Sequence, residues 1–242
     1  MGDRALVAHQ PAYWPWCGYF TRLLDVDRLV LLDHVQFAER GWQHRNTVAD
    51  RDGRPVRLTV PVRRAFGQRL TEVKIADPDF RVRHWRTLSE TYRRAPHFGR
   101  LADRLQELYV RPWTHLVDLN EAVTRLILSA LDLDVTLVRT SGAPPYGTKT
   151  AALADLCRRY QADVLRVGTG AITYLDTELL GQAGIRIEVA TYDHVPYGRA
   201  RSRPAGLSVL DLLMHEGPRA RTVLMAGART APFTPTPREV HA

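Results

Sequence analysis

Cysteine is scarce in this sequence, and a long apolar run is missing. With only Cys17 and Cys157 in 242 residues, the chain cannot build a framework of several disulfides, and a zinc site would need at least two other types of ligand. No stretch reaches the roughly eighteen consecutive apolar residues of a membrane-spanning helix. The first apolar run ends at Ala8, which is too early for a signal peptide. We therefore expect a protein of the reducing cytoplasm that does not contact a membrane.

Lysine is equally scarce. Lys74 and Lys149 are the only two, so arginine carries most of the positive charge behind the net charge of +8. An excess of arginine is typical of a GC-rich coding sequence, and it is also typical of a surface that attracts an acidic partner. The basic residues are spread along the chain rather than clustered with aromatic residues, so we do not expect nucleic acid as the partner.

The sequence also lacks the common motifs of cofactor and metal sites. It has no glycine-rich phosphate loop of the Walker or dinucleotide-binding type and no HExxH motif, so we expect neither a bound nucleotide cofactor nor a metal. Gly168 and Gly170 form a GTG turn after an apolar run, which we interpret as a tight connection from a strand to a helix.

The apolar pattern predicts an α/β fold, which we treat as a single domain over residues 1–242. Short apolar runs at 5–8 and 29–32 predict strands, with a helix from Tyr19 to Asp25 between them. The segment from Asn46 to Ala76 predicts a β-hairpin or small meander.

The second half of the chain changes pattern twice. Helical spacing from 79 to 131 predicts a helical middle segment that is a candidate subdomain. After Asp132, strand-like runs (DVTLVRT, ADVLRV, IRIEVA) alternate with helix-like ones, including KTAALADLCRRY, 174–180 and LSVLDLLMHEG. This alternation favours a mixed sheet with helices on its faces. We expect a loop at 196–206 and a flexible tail at 231–242.

We predict that the working site is built from the segment between His9 and Asn46. The stretch from His9 to Tyr19 contains two prolines, two tryptophans and two tyrosines, and it joins the first predicted strand to a helix. Loops that follow the strands of a parallel sheet often carry the chemistry of α/β proteins, because the sheet holds them rigidly.

Cys17 is the candidate nucleophile of this segment. At the start of a helix, the helix dipole and free backbone N–H groups lower the pKa of a thiol and stabilise the thiolate. The alternative is that Cys17 is a small core residue, which is the role we also assign to Cys157.

Two histidines compete for the role of the base, and the choice between His34 and His9 stays open. Gln10 is the candidate donor to an oxyanion, and Asp33 or Glu39 is the candidate group that orients an imidazole. Either carboxylate could equally be a surface group or a helix cap.

Aromatic and polar residues around these candidates are expected to bind the substrate. Four aromatic side chains are predicted to exclude water and to stack on a sugar: Tyr13, Trp14, Trp16 and Trp42. In a second cluster, His44, Arg45 and Asn46 are predicted to contact the substrate, with Arg45 gripping a carboxylate or phosphate. The alternative is a hydrogen-bonded turn before a strand.

Several of these motifs together resemble a known signature. HQPAYWPWCGYF, LLDHVQF, WQHRN and the later LTVPV are similar, at their spacings, to the WbqC-like family. Its members occur in bacterial gene clusters for surface polysaccharides and secondary metabolites, which implies tailoring of sugars or small molecules. The family usually has an apolar residue where this sequence has Cys17. A cysteine there resembles the condensing enzymes of lincosamide antibiotic biosynthesis.

This resemblance implies an ATP-independent acyltransferase that forms an amide bond. Cys17 would take an aminoacyl group from a carrier-protein thioester and pass it to the amine of an aminosugar, with His34 or His9 as base and Gln10 at the oxyanion. The partner would be an acidic carrier protein that supplies its own phosphopantetheine arm. The alternative is a non-covalent transferase in polysaccharide assembly, in which Cys17 fills space and Arg45 holds the phosphate of a nucleotide-sugar.

Overall fold

A computed structural model describes residues 3–50, 52–198 and 203–234 of the chain. The strands are β1 (Ala5–His9), β2 (Arg28–Leu31), β3 (Arg45–Ala49), β4 (Pro55–Thr59), β5 (Thr136–Arg139), β6 (Val164–Gly168), β7 (Arg186–Tyr192) and β8 (Ala228–Pro232). The helices are α1 (Cys17–Thr21), α2 (Phe80–Tyr92), α3 (Phe98–Val110), α4 (Leu116–Ala130), α5 (Lys149–Arg159), α6 (Thr169–Ile172), α7 (Thr177–Gln182), α8 (Val209–Glu216) and α9 (Ala220–Gly227).

Six strands form one mixed sheet, which confirms the predicted fold class. Their order is β5-β2-β1-β6-β7-β8, and every neighbouring pair is parallel except β7 with β8, which is antiparallel. The central strands read as continuous apolar runs because both faces of the sheet are covered. Side chains alternate between the two faces, so Val7 and Leu29 join one apolar core while Leu6 and Val30 join the other.

The order of the parallel strands reverses between β1 and β6. The chain builds outward from β1 through β2 to β5, then returns to the other side of β1 and continues through β6 to β7. The connections that leave β1 and β6 therefore diverge, and a crevice opens at the carboxyl ends of these two strands. Ligands of open α/β sheets bind at this kind of switch point.

The predicted hairpin is confirmed as β3 paired antiparallel with β4. In its turn, an oxygen of the Asp50 side chain accepts hydrogen bonds from the backbone N–H groups of Asp52 and Arg54, and Gly53 adopts φ +82°. The meander does not continue. The part of the predicted segment that follows β4 contains a short 3₁₀ helix, Leu70–Glu72, and makes only isolated bridges such as Val62 with Ile75.

The helical middle segment is also confirmed, since α2, α3 and α4 fill residues 80–130. Buried residues of α4 such as Leu119 and Val123 belong to the same apolar core as Val7 of the sheet. No helix in the described residues is long and apolar enough to cross a bilayer.

Three predicted elements need correction. The first helix begins at Cys17 and ends at Thr21, earlier than predicted, and the helix predicted at 174–180 is replaced by α6 and α7 with Tyr174 between them. The predicted tail begins inside a strand, because Ala231 and Pro232 belong to β8; residues 235–242 lie outside the described residues. Of the predicted loop at 196–206, residues 199–202 also lie outside them.

Candidate functional site

A cleft of about 570 Å³ lies at the switch point of the sheet. This volume suits a small-molecule ligand, for which pockets of roughly 300–1,000 Å³ are usual. Its polar lining combines residues that follow β1, β2 and β6 with residues at the start of α5: His9, Arg22, His34, Thr148, Lys149, Arg166 and Tyr174. No aspartate or glutamate of the described residues lines it, and no cluster of metal-ligating side chains is found among those residues.

His34 is held by a network that determines which of its nitrogens carries the proton. Its Nδ1 lies 2.7 Å from Oγ1 of Thr140. The single proton of that hydroxyl is used toward Oδ1 of Asp33 at 2.9 Å or the carbonyl of Leu31 at 3.1 Å. Both of these oxygens can only accept, whereas an imidazole nitrogen can donate, so we assign the hydroxyl as the acceptor toward His34. This assignment places the proton on Nδ1 and leaves the lone pair on Nε2.

The charge state of His34 follows from its surroundings. Partial burial lowers the pKa of His34, the Asp33 carboxylate raises it in part, and Arg69 lowers it further, with a net decrease. The ring is therefore neutral at pH 7, with an unprotonated Nε2 that can accept a proton.

His9 has the same tautomer for a simpler reason. Its Nδ1 lies 2.8 Å from the backbone carbonyl of Gln10, which can only accept, so the proton sits on Nδ1. The ring packs edge-on against Tyr19 with a centroid distance of 4.7 Å. Burial, and then the nearby Arg22 guanidinium, lower the pKa of His9 to about 4. His9 is therefore a hydrogen-bond acceptor at neutral pH and a much weaker base than an ordinary histidine.

Asp33 does not contact the His34 ring directly in the hydrogen-bond network; it acts through Thr140. It is fully buried, and its Oδ2 pairs with Nε of Arg139 at 2.6 Å, while its Oδ1 accepts from the backbone N–H of Ser141 at 2.7 Å. Burial alone would raise the pKa of Asp33, but the hydrogen bonds from Ser141, Arg139 and Thr140 outweigh it and lower the pKa. The other candidate orienting group, Glu39, is exposed and pairs with Arg64 instead.

The structure does not bring Cys17 together with either candidate base by a hydrogen bond within the described residues. Its side chain is 4% exposed and belongs to the apolar core, and Cys17 is not among the residues that line the cleft. Burial raises the pKa of the Cys17 thiol to about 12, and the nearby Asp211 carboxylate contributes in the same direction. Although α1 does start at Cys17, the helix has five residues and every one of them is buried.

Gln10 is tied to the hairpin side of the loop. Its Oε1 accepts a hydrogen bond of 2.6 Å from Nε2 of Gln43, whose own Oε1 accepts from the backbone N–H of Ala38 at 2.8 Å. Gln43 is buried, so this pair fixes the segment after β1 against the segment before β3. The role of Gln10 as an oxyanion donor stays a prediction.

The predicted aromatic wall divides into core and surface residues. Tyr13 and Trp14 are fully buried, and both hydrogen-bond to the Tyr109 hydroxyl of α3, at 2.7 and 2.8 Å. These two side chains therefore belong to the core and do not line the cleft, and their contact with a substrate stays a prediction. Trp16 and Trp42 are exposed, at 37% and 59%, but they do not line the cleft.

The WQHRN cluster supports the backbone rather than the cleft. Asn46 is buried, and its Nδ2 donates to the backbone carbonyl of Trp14 at 2.7 Å. Trp14 itself adopts φ +45°. His44 is buried as well, and burial lowers the pKa of His44 to about 4. A guanidinium nitrogen of Arg45 donates to the carbonyl of Arg40. None of His44, Arg45 and Asn46 lines the cleft, so the alternative of a hydrogen-bonded turn before a strand describes them better.

Comparison with known proteins identifies the family. Residues 10–223 match the WbqC-like protein family. The chain belongs to that family. An uncharacterized protein of Mycobacterium tuberculosis, Rv1507c, is 32% identical over 216 residues, which cover 87% of this WbqC-like chain and 93% of the relative. No solved structure matches the chain significantly. The match confirms the family resemblance but assigns no reaction.

Sequence reasoning missed most residues of the cleft, and four of them matter most for its chemistry. Arg22, Lys149, Tyr174 and Gly168 come from three segments that are distant in the sequence and meet only at the switch point. One signal was available for Gly168, because a glycine pair directly after a predicted strand often marks a close approach of another group to the backbone. No comparable pattern distinguishes Arg22 among the many arginines of the chain.

Proposed function

We propose that this WbqC-like chain is a transferase that moves a group directly onto a hydroxyl or amine of a sugar-like substrate in the cleft. No covalent intermediate forms on Cys17. The observation that carries this proposal is that the cleft is lined by His34, a neutral imidazole with an unprotonated Nε2, whereas the Cys17 thiol lies in the core.

In this mechanism, Nε2 of His34 accepts the proton of the acceptor hydroxyl or amine as the acceptor attacks the thioester carbonyl of an acyl donor. The C–S bond of the donor breaks, and the imidazolium returns the proton to the departing thiolate. Thr140 keeps the ring in place through Nδ1, and the Asp33 carboxylate behind Thr140 favours the positive charge that develops on the imidazole. With a pKa of about 4, His9 is poorly matched to proton transfer at neutral pH. It instead orients the acceptor by accepting a hydrogen bond.

The rest of the cleft suits a sugar-like substrate. Tyr174 is 63% exposed and lines the cleft, so its aromatic face is available to stack on a sugar ring. The apolar part of the lining, which includes Val35, Leu153 and Ala171, helps to exclude water from the reacting atoms.

Acyl transfer through Cys17 from an acidic carrier protein to an aminosugar stays a prediction from the sequence. It shares the acceptor chemistry with the direct route and differs in the covalent step. For that step, a thiolate would have to form where burial strongly favours the neutral thiol, and the thiol would have to become accessible to the phosphopantetheine arm. The direct route requires neither change.

The two routes are separated by incubating the protein with an aminoacyl carrier protein and an aminosugar, then measuring product and intact mass. We expect no acyl adduct on the protein, and we expect Cys17→Ala to form product at the wild-type rate. The rate of product formation should fall by about 10²- to 10⁴-fold in His34→Gln, which is the usual contribution of a general base. Circular dichroism checks that both variants are folded. An adduct on the wild type that disappears in Cys17→Ala together with the product would overturn the direct route. Absence of product from every variant would exclude the carrier-bound acyl donor.

A further inference from the structure

Among the described residues, Arg22 is the one arginine or lysine with a buried side-chain nitrogen that lacks a hydrogen-bond partner. Its Nε is buried without a hydrogen-bond partner, and no carboxylate of the described residues pairs with it. Its polar neighbours include His9, Tyr19 and Tyr174. Burial lowers the pKa of Arg22, although a guanidinium remains charged at pH 7. A partly buried cation without a counter-charge is costly, so an anion from outside the chain is its natural partner.

The backbone makes room for this guanidinium at Gly168. A Cβ atom added to Gly168 would lie 2.5 Å from Nη2 of Arg22 and 2.7 Å from its Cζ. Any side chain at this position would therefore displace the guanidinium from the end of β6. The close approach fixes Arg22 at the carboxyl end of the sheet, on the floor of the cleft.

The start of α5 faces the same cleft and is also uncapped. The helix has eleven residues, its N-cap residue Thr148 makes no side-chain cap, and its first turn carries no acidic residue. Thr148 and Lys149 line the cleft, and Lys149 has no carboxylate partner within the described residues. Backbone N–H groups and the helix dipole at such a terminus favour an anion.

The charges around the cleft are unbalanced in one direction. Arg166 also lines it, but both Nε and Nη2 of Arg166 lie 2.9 Å from Oε2 of Glu188, so this charge is paired. Arg22 and Lys149 therefore leave two positive charges without a protein partner in the described part of the lining. A phosphate dianion matches this pair better than a carboxylate, which carries a single charge.

We propose that the cleft binds a phosphate-bearing small molecule whose phosphate is held by Arg22, Lys149 and the first turn of α5. This inference rests on the proposed function, because it identifies the acceptor as a phosphorylated sugar or nucleotide-sugar whose hydroxyl or amine reaches His34. The cleft of about 570 Å³ has room for both parts.

Binding is tested with inorganic phosphate and glucose 1-phosphate, with sulfate, acetate and glucose as comparison ligands, by isothermal titration calorimetry. We expect both phosphate ligands to bind, sulfate to compete, and acetate and glucose to bind at least tenfold more weakly. Arg22→Gln should weaken phosphate binding by about 10- to 100-fold, the worth of one hydrogen bond to a charged group.

The matched control is Arg28→Gln. Arg28 is also partly buried, but it lies at the opposite end of β2 from His34, and its guanidinium stacks on Tyr160 with a distance of 4.5 Å. Phosphate affinity should be unchanged in this variant. Gly168→Ala is a second perturbation that retains the charge but displaces it, and it should weaken phosphate binding as well.

Thermal unfolding separates an anion site from a merely structural arginine. Without ligand, Arg22→Gln should unfold at the wild-type temperature or higher, because the change removes an unpaired charge. At phosphate concentrations a hundredfold above Kd, the wild type should gain roughly 5 °C or more, and Arg22→Gln should gain little at the same concentration. A lower unfolding temperature of unliganded Arg22→Gln would overturn the assignment.

The remaining outcomes are equally decisive. Failure of phosphate to bind the wild type, or equal binding by Arg22→Gln and Arg28→Gln, would overturn the phosphate site. If acetate binds as tightly as phosphate, the site would have to be reassigned from a phosphate ligand to a carboxylate ligand. These measurements need no turnover, so they are independent of the proposed function. Loss of the phosphate site with transfer still dependent on His34 would reject this inference alone.

Discussion

The tautomer of His34 depends on one hydroxyl group, that of Thr140. Replacing Thr140 by valine keeps the shape of the side chain and removes only its hydrogen bonds. The hydroxyl accepts from Nδ1 of His34 at 2.7 Å and from the backbone N–H of Asp33 at 3.1 Å, and it donates to Asp33 or Leu31. With valine at this position, nothing in the described residues fixes the proton on Nδ1.

The expected loss of stability follows from counting these bonds. Thr140 is 1% exposed, so water does not replace its oxygen. The N–H of Asp33 retains a second acceptor, the carbonyl of Leu31 at 3.0 Å, and Asp33 keeps its bonds to Ser141 and Arg139. The main orphan is therefore Nδ1 of His34. The loss of a partner for this N–H donor, together with the other lost bonds of the Thr140 hydroxyl, should lower the free energy of unfolding by about 2–3 kcal/mol. This decrease corresponds to roughly 4–10 °C in the unfolding temperature.

Two measurements check this prediction. Nitrogen-15 NMR of the imidazole distinguishes a protonated from an unprotonated ring nitrogen, so it should show Nδ1–H in the wild type and a mixture or the reverse in Thr140→Val. Thr140→Ser is the control, because it keeps the hydroxyl and should retain the wild-type tautomer. A valine variant with Nδ1 still protonated and an unchanged unfolding temperature would refute the network as drawn.

Three further predictions concern buried residues that do not line the cleft. Burial lowers the pKa of both His44 and His84 from 6.5 to about 4. Because the unfolded chain binds their protons at higher pH, the free energy of unfolding should fall by about 2 kcal/mol for each as the pH drops from 7 to 5. Urea unfolding at the two pH values should show this loss, and replacing both by glutamine should remove the part that these two residues contribute, while the part that comes from His9 remains. With a thiol pKa of about 12, a fraction of roughly 10⁻⁴ of the Cys17 thiol is ionised at pH 8. Iodoacetamide should therefore label Cys17 only after the protein unfolds. Rapid labelling of Cys17 in the native protein would contradict the burial of this side chain. Asn46→Ala should lower the free energy of unfolding in urea by about 2–3 kcal/mol, because it leaves buried backbone groups without hydrogen-bond partners. Arg45 is more exposed, so Arg45→Ala should lower it by less than about 0.5 kcal/mol. Equal decreases in the two variants would contradict the structural role of Asn46.

The sequence predicted most strands and helices of this fold because their apolar patterns are strong. β1 and β2 carry short continuous apolar runs, and the helical segment from α2 to α4 carries apolar residues at helical spacing, and hydrophobic periodicity detects both patterns. β8 was missed because all but one of its residues are exposed, so it has no apolar alternation and depends on backbone pairing with β7. The break before α7 had a local signal: Asp176 caps the helix by accepting from the N–H of Leu179.

Only about half of the candidate site could be predicted from the sequence, because the rest depends on the topology of the sheet. His9 is the last residue of β1 and His34 follows β2, and these two strands are adjacent and parallel, so a local pattern was enough to bring both residues to one edge of the sheet. Lys149 and Tyr174 reach the same cleft only because β6 returns to the other side of β1, which no local pattern specifies. For Cys17, the position at a helix start was right, but the burial of α1 depends on its packing against β7 and α9.

The aromatic loop after β1 contributes to the cleft through rigidity rather than through contact. Its backbone bends at Trp14, which adopts φ +45°, and the bend is held by Asn46 and by the N–H of Tyr13 donating to the carbonyl of Trp42. The indole of Trp14 is in turn anchored to α3 by its hydrogen bond to Tyr109. Because this loop leads directly into α1, and Arg22 follows α1, the loop sets where the guanidinium stands relative to the end of β6. A substitution in this loop can therefore alter ligand binding although the substituted residue does not touch the ligand. A residue that belongs to the family signature is thus not necessarily a residue that contacts the substrate.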